Sequence, residues 1–160
     1  MPSFQIRPAA EQDIPVILEL VRGIAEYEKL LDQLEATEGR MHEALFGERP
    51  AARGLIAEHE TDGPVGYAIF CYNFSTFVGK AGIYLEDLYV KPEYRGHGMG
   101  KALFKAVAQV ALDEDCGRME WVALDWNTPA LEFYKSQGAQ CLGEWQLHRF
   151  NEEQLKAATK

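Results

Sequence analysis

Leu85-Glu86-Asp87-Leu88-Tyr89-Val90-Lys91-Pro92-Glu93-Tyr94-Arg95-Gly96-His97-Gly98-Met99-Gly100-Lys101 decides the fold of this chain. The stretch closes a run rich in Ile, Leu, Tyr and Val, from Ala81 to Val90, which reads as the best strand in the sequence. After it comes a helix with Leu103, Ala106, Val107, Val110 and Ala111 on one face. Between the two lie Gly96, Gly98 and Gly100. Glycines so closely spaced let the backbone take positive φ and approach a ligand. They also leave free N–H groups at a helix N-terminus, where the macrodipole favours an anion. A pyrophosphate fits such a turn, and Arg95 and Lys101 add cationic contacts.

Two familiar phosphate-binding patterns do not match. The P-loop, G-x-x-x-x-G-K-[ST], would start at Arg95 and end at Ala102. The dinucleotide fingerprint needs G-x-G-x-x-G after an early strand and an acidic ribose partner on a second strand; the spacing here is G-x-G-x-G and no such partner follows.

Outward from the turn, the chain alternates strand and helix signals. Phe4 to Arg7 alternates and meets Pro8, a short first strand. Ile14, Ile17, Leu18, Val21 and Ala25 fall at helical spacing, with Asp13 as N-cap and Pro15 in the first turn, and this helix is expected to run to about Leu31. A second helix is expected from after Thr37 to near Gly47. Gly54 to His59 and Val65 to Tyr72 read as strands joined by the turn Thr61-Asp62-Gly63-Pro64. The helix after the glycines should stop near Cys116-Gly117. Met119 to Leu124 reads as a strand, and Asn127-Thr128-Pro129 as the start of a helix ending at Gln137-Gly138. Trp145 to Phe150 is expected to be a last strand and Asn151 to Lys160 a frayed helical tail. The order β-α-α-β-β-β-α-β-α-β makes residues 1–160 a single domain with a mixed α/β sheet.

Composition narrows the function. A formal charge of -9 argues against nucleic acid, which needs a basic surface, and suits a cationic ligand. No apolar run approaches the roughly 18 residues that cross a bilayer, so no membrane association is expected. No secretory signal is visible at the N-terminus. Cys71, Cys116 and Cys141 are odd in number and widely spaced, which suggests a reducing, cytoplasmic compartment. His42, His59, His97 and His148 lack metal-ligand spacing, so no metal is expected.

With these motifs in place, the chain resembles the GNAT superfamily of N-acetyltransferases. Its pattern [RQ]-x-x-G-x-[GA] is met by Arg95, Gly98 and Gly100. The chain looks most like the spermidine/spermine (diamine) and thialysine acetyltransferase branch. The likeness runs through Phe4-Gln5-Ile6-Arg7-Pro8-Ala9, Ala25-Glu26-Tyr27-Glu28, Tyr84 to Val90, Tyr94 to Gly100, and Asp125-Trp126-Asn127-Thr128-Pro129-Ala130-Leu131-Glu132-Phe133-Tyr134-Lys135, nearly the whole chain. The resemblance implies a mostly antiparallel central sheet flanked by helices, acetyl-CoA as cosubstrate and a homodimer. Backbone of Leu88, Tyr89 and Val90 is then expected to pair with pantetheine. Arg95, Gly96, His97, Gly98, Met99, Gly100 and Lys101 are expected to hold the pyrophosphate. Asn127, Thr128, Pro129 and Ala130 are expected at the far side of the cofactor, and Tyr134 near the sulfur. Tyr27, Glu28 and Glu86 are expected to line the acceptor site. The segment between Gly138 and Trp145 is shorter than in the polyamine enzymes, and an acceptor-contacting acid there maps loosely to Glu144.

The chemistry fits those assignments. An alkylamine with pKa near 10 is almost wholly protonated at neutral pH, yet only the neutral amine attacks a thioester. A carboxylate can bind the ammonium and accept its proton. Glu86, within an otherwise apolar strand, suits that task, or else faces solvent or a basic side chain. Asp87 is expected on the opposite face by strand alternation, in a structural role. Tyr134 offers a phenol to protonate the leaving thiolate, or else packs as an ordinary tyrosine. Three functions remain in view: acetylation of a primary amine on a small cationic molecule, acetylation of a protein lysine or N-terminus, and CoA sensing without turnover.

Overall fold

The structure, a computed structural model, describes residues 3–160. The chain divides into two compact units, Met1–Val122 and Ala123–Lys160. The first is built on a five-stranded sheet in the order β1-β2-β3-β4-β5. Its strands are β1 (Phe4–Pro8), β2 (Arg53–His59), β3 (Gly63–Ser75), β4 (Lys80–Val90) and β5 (Met119–Glu120). All neighbours are antiparallel except β4 and β5. The sheet is thus mixed and mostly antiparallel, as the sequence led us to expect.

Helices cover both faces. α1 (Ile14–Tyr27) and α2 (Glu38–Phe46) pack on one side, where Ile14, Ile17, Leu20 and Leu45 form a buried cluster with Ile56, Tyr67, Ile69 and Tyr89 of the sheet. Each fully buried aliphatic side chain contributes about 2 kcal/mol by leaving water. α3 (Met99–Asp113) covers the other face through Leu103, Phe104, Val107 and Ala111. Thr37 caps α2 by accepting the Arg40 amide at 3.2 Å.

Asp13 does not cap α1 with its side chain. It is buried instead, and its carboxylate accepts two bonds from Arg7, at 2.7 and 2.9 Å, and one from the Ala10 amide at 2.7 Å. Two helices end sooner than the sequence leads one to expect, before about Leu31 and before Cys116-Gly117. α1 stops at Tyr27 because Lys29 takes a left-handed φ of 61°, and α3 stops at Asp113 because Asp115 does so at 55°. Gly117 serves close packing rather than the helix stop: a Cβ there would stand 2.5 Å from a Val78 methyl.

Within the second unit, α4 (Thr128–Ser136) ends before Gly138, which adopts φ 87° as a helix-stopping glycine should. α5 (Glu152–Ala158) is better capped than a frayed tail would be, with a reciprocal Asn151–Gln154 box at 2.9 Å in both directions. Trp145 to Phe150 forms no strand, and β5 stops at Glu120 instead of reaching Leu124. A strand exists only where a ladder partner runs beside it, and side-chain alternation alone does not supply one. No helix among the described residues is long and apolar enough to cross a membrane.

Candidate active site

The decisive local feature is a β-bulge in β4. Ile69 pairs with Asp87 and Phe70 pairs with Leu85, so Glu86 is an extra residue without a partner on β3. Such a bulge breaks side-chain alternation. Leu85 and Leu88, opposite Phe70 and Ala68, therefore share the α3 face although three positions apart. Asp87 and Tyr89, opposite Ile69 and Tyr67, lie on the α1 face.

This overturns the expected placement of Asp87 on the face away from Glu86. Both carboxylates act on Glu28, the residue that closes α1, and Glu86 also acts on the Cys71 thiol two residues along β3 from Ile69. Glu28, Glu86 and Asp87 thus gather on one side of the sheet. Their burial is the reverse of the sequence expectation. Glu86 is exposed, while Asp87 is the carboxylate that carries the desolvation.

Burial pushes the Asp87 carboxyl above the usual aspartate range, and the Tyr67 hydroxyl, donating to Asp87 Oδ2 at 2.8 Å, pulls it partly back. Burial also raises the Glu28 carboxyl, with the charge of Asp87 and then of Glu86 adding to it. Among the described residues, neither Glu28 nor Asp87 forms a salt bridge. Tyr67 itself is raised well above a normal phenol, first by burial and then by the nearby Asp87 charge.

Next to this acidic corner β4 has an open edge. β5 pairs only with Ile83 and Tyr84, so no strand among the described residues lies along that edge from Leu85 to Val90. Leu88, Tyr89 and Val90 pair with Ala68, Tyr67 and Gly66 of β3 on the other side, and alternate residues of such a strand turn their N–H and C=O to the outer edge. Peptide groups along an open edge can take a strand-like ligand.

The glycine turn follows directly. Gly96 and Gly98 adopt φ of 83° and 87°, and a Cβ at either would meet nothing within 4 Å. Gly98 caps α3, whose first-turn amides have no intrahelical acceptors. Gly96, His97 and Gly98 are exposed, as is Lys101, whereas the Met99 side chain is buried in the core and leaves only its backbone to the turn. Arg95 is turned back toward the strand. Its Nε donates to the Val90 carbonyl at 2.8 Å, and its guanidinium lies 5.3 Å from the ring centres of both Tyr27 and Tyr89. It thereby ties the turn to the end of α1.

The remaining expected residues belong to the second unit. Asn127 is the N-cap of α4, Thr128, Pro129 and Ala130 form its first turn, and Tyr134 lies half-buried one turn on, edge-to-face with Phe133 at 5.6 Å. Glu144 is exposed in an irregular segment.

An open strand edge leading into an amide cradle at a helix N-terminus defines a class of protein suited to a long phosphate-bearing ligand laid along the sheet edge. The chain belongs to the acetyltransferase (GNAT) family, whose sequence pattern matches residues 21–139. It is an acetyl-CoA-dependent N-acetyltransferase. It is 45% identical to the thialysine N-epsilon-acetyltransferase of Bos taurus over 166 aligned positions, covering 98% of this chain and 97% of the relative. It is 36% identical to the human spermidine/spermine N(1)-acetyltransferase-like protein 1, covering 97% of this chain and 24% of that longer protein. Among solved structures, an integron cassette protein from the mobile metagenome of V. cholerae superposes with a TM-score of 0.78 at 27% identity, covering 99% and 98% of the two chains. The turn and the strand edge fit acetyl-CoA: positive-φ glycines with open space above them suit its pyrophosphate, and the open edge of β4 suits its pantetheine amides.

Proposed function

We propose that this enzyme acetylates a primary amine on a small cationic acceptor, a lysine-like amino acid such as thialysine or a diamine. The observation that carries the reading is the meeting of Glu28, Glu86 and Asp87 on one sheet face, with the carboxyls of Glu28 and Asp87 raised and, among the described residues, no salt bridge to either of those two. Carboxylates desolvated without a counterion are costly, and an ammonium from the acceptor supplies the missing charge. The names of the bovine and human relatives, which refer to thialysine and to polyamines, support the same acceptor class.

Acetyl-CoA supplies the activated acyl group as a thioester. Glu28 and Asp87 bind the acceptor's ammonium, with Tyr27 presenting its ring beside them. Glu86, exposed at the bulge, takes the proton that must leave before the nitrogen attacks, directly or through water. Backbone amides of Gly96, His97, Gly98, Met99, Gly100 and Lys101 hold the pyrophosphate, and Leu88, Tyr89 and Val90 align the pantetheine arm. Arg95 braces that turn, and Lys101 adds charge beside it. By family resemblance, Asn127, Thr128, Pro129 and Ala130 contact the far side of the cofactor, Glu144 lies toward the acceptor, and Tyr134 protonates the departing thiolate. Residues 1–160 act as one catalytic domain, supported by a family match that runs across the division at Val122.

We further place the enzyme in the cytoplasm, a reading supported by three free cysteines, and propose that it works as a homodimer without metal, nucleic acid or membrane partners. Exposed Phe74, Phe77 and Val78 at the β3–β4 tip support self-association. Free-thiol release from acetyl-CoA in the presence of thialysine, lysine, spermidine or a lysine-containing peptide tests the activity. Turnover of the small amines is expected. Turnover of the peptide alone would move the acceptor to proteins, and tight CoA binding without any thiol release would make the chain a sensor.

A further inference from the structure

Tyr67 sits in the middle of β3 with no solvent exposure, within the cluster that seats α1 and α2. A phenylalanine would fill the same apolar space without burying a hydroxyl. The hydroxyl has one partner in the structure, Asp87 Oδ2 at 2.8 Å. That bond crosses from β3 to β4 immediately beside the bulge, where the ladder holds β4 least regularly. The phenol thus fixes a carboxylate whose backbone register is loosened at the residue before it.

We propose that Tyr67 is a positioning residue for the acceptor site: it orients Asp87 so that this carboxylate, with Glu28, receives the acceptor's ammonium. The inference rests on the acceptor reading given above. Tyr67 touches neither reactant and acts only through Asp87. Glu28, at the end of α1, feels the charge of that carboxylate, and Tyr67 faces it from β3. Around this group, Glu86 acts on Glu28 and on the Cys71 thiol, Tyr89 lies near Tyr67, and Arg95 lies over the rings of Tyr27 and Tyr89. Of these, Tyr67 is the group that donates to Asp87. A hydrogen bond to the ionised form favours ionisation, so its loss lets burial raise the carboxyl further.

Tyr67→Phe tests this with thialysine as acceptor and CoA affinity as an internal control. The acceptor KM is expected to rise about tenfold, the size of one hydrogen bond to a charged group, with kcat within about threefold of the parent. CoA binding is expected to stay near that of the parent, and the melting temperature to fall by no more than a few degrees. The acid limb of kcat/KM should move to higher pH. In an Asp87→Asn background the same substitution should add less than about a twofold change, because its route is gone. Asp87→Glu, which displaces the carboxylate by a methylene while keeping Tyr67, should reproduce the rise in KM. An unchanged KM in Tyr67→Phe, or full additivity with Asp87→Asn, overturns the role of Tyr67 and leaves the acceptor reading standing. A parent chain that acetylates none of the small amines overturns both.

Discussion

Two aspartates of the first unit, Asp13 and Asp87, show how the same side chain serves different ends. Asp13 is 3% exposed and is gripped in bidentate fashion by Arg7, which also reaches Glu58 at 3.0 Å. The guanidinium holds the Asp13 carboxyl below the usual range, and Arg7 itself is raised by the same bonds. Asp87 is half-buried, its partner is the Tyr67 phenol, and desolvation leaves its carboxyl raised. One carboxylate is neutralised within the chain and locks β1 to the start of α1. The other is left in want of a cation. A protein gains no stability from the second arrangement, so its presence in the fold points to a ligand.

The contrast breaks most sharply if the pocket's charge and the chemical step are not separable. Tyr134→Phe is expected to lower kcat by about 10²-fold, the usual size for losing a general acid, while leaving the acceptor KM near that of the parent. Steady-state kinetics with a good amine acceptor checks it. Unchanged kcat would remove Tyr134 from the reaction and leave proton delivery to water. On the other side of the comparison, Asp13→Asn should cost about 2 kcal/mol of stability, since hydrogen bonds to charged groups are worth roughly that and Arg7 is only partly exposed. It should leave acceptor KM unaltered. Denaturant melts at pH 7 read the first number and kinetics the second.

The sign of the pH dependence follows from the lowered carboxyl. A group depressed in the folded state stabilises above its unfolded value, here 3.8, and that contribution is lost as pH falls through the folded value. The Asp13→Asn deficit should therefore be full at pH 7 and shrink below about pH 4. A deficit equally large at pH 3 would mean that geometry, not charge, is what Asp13 supplies.

Much of the fold is legible in the sequence. The glycine turn, the strand feeding it, both helices on either side and the mixed sheet follow from spacing and residue type. The bulge was the feature that spacing alone misplaced, and its trace is in the sequence. Ile83 and Leu85 occupy odd positions, whereas Leu88 and Val90 occupy even ones, and all four are apolar. A change of parity across Glu86-Asp87 marks an inserted residue, and strict alternation put Asp87 on the wrong face for that reason. Tyr67 was not legible, because one tyrosine in an apolar strand reads as core until its partner across the sheet is known. Lys29 and Asp115 end helices with a left-handed backbone but without glycine, so no glycine marks those stops in the sequence. The segment from Trp145 to Phe150 alternates like a strand, yet strand formation depends on a partner that no local pattern specifies.

A third test sharpens the comparison at the pocket itself. Asp87→Asn keeps the shape and removes the charge, and should raise acceptor KM about tenfold while CoA affinity holds. Isothermal titration with CoA and kinetics with the amine distinguish the two. A fall in CoA affinity alone would reassign Asp87 to the cofactor side of β4.

The smallest expected effect carries the opposite sign from Asp13→Asn. Burial, and the charges of Asp87 and Glu86, raise the Glu28 carboxyl above its unfolded value of 4.5. The folded state then holds that proton more tightly than the unfolded chain, so stability falls as pH rises through the interval between the two values. At pH 7, where the group is charged in both states, the accumulated cost is greatest. Glu28→Gln should remove it and stabilise the protein by about 0.5 kcal/mol, a modest figure because Glu28 is only half-buried and solvent screens its neighbours. Acceptor binding should weaken in the same variant. Melts at pH 7 and pH 4, with and without a saturating amine, read both effects: the gain should shrink at the lower pH, and the amine should stabilise the parent more than the variant. A variant less stable than the parent at pH 7 would show that Glu28 already has its counter-charge within the fold, and the contrast between the two acidic regions would disappear.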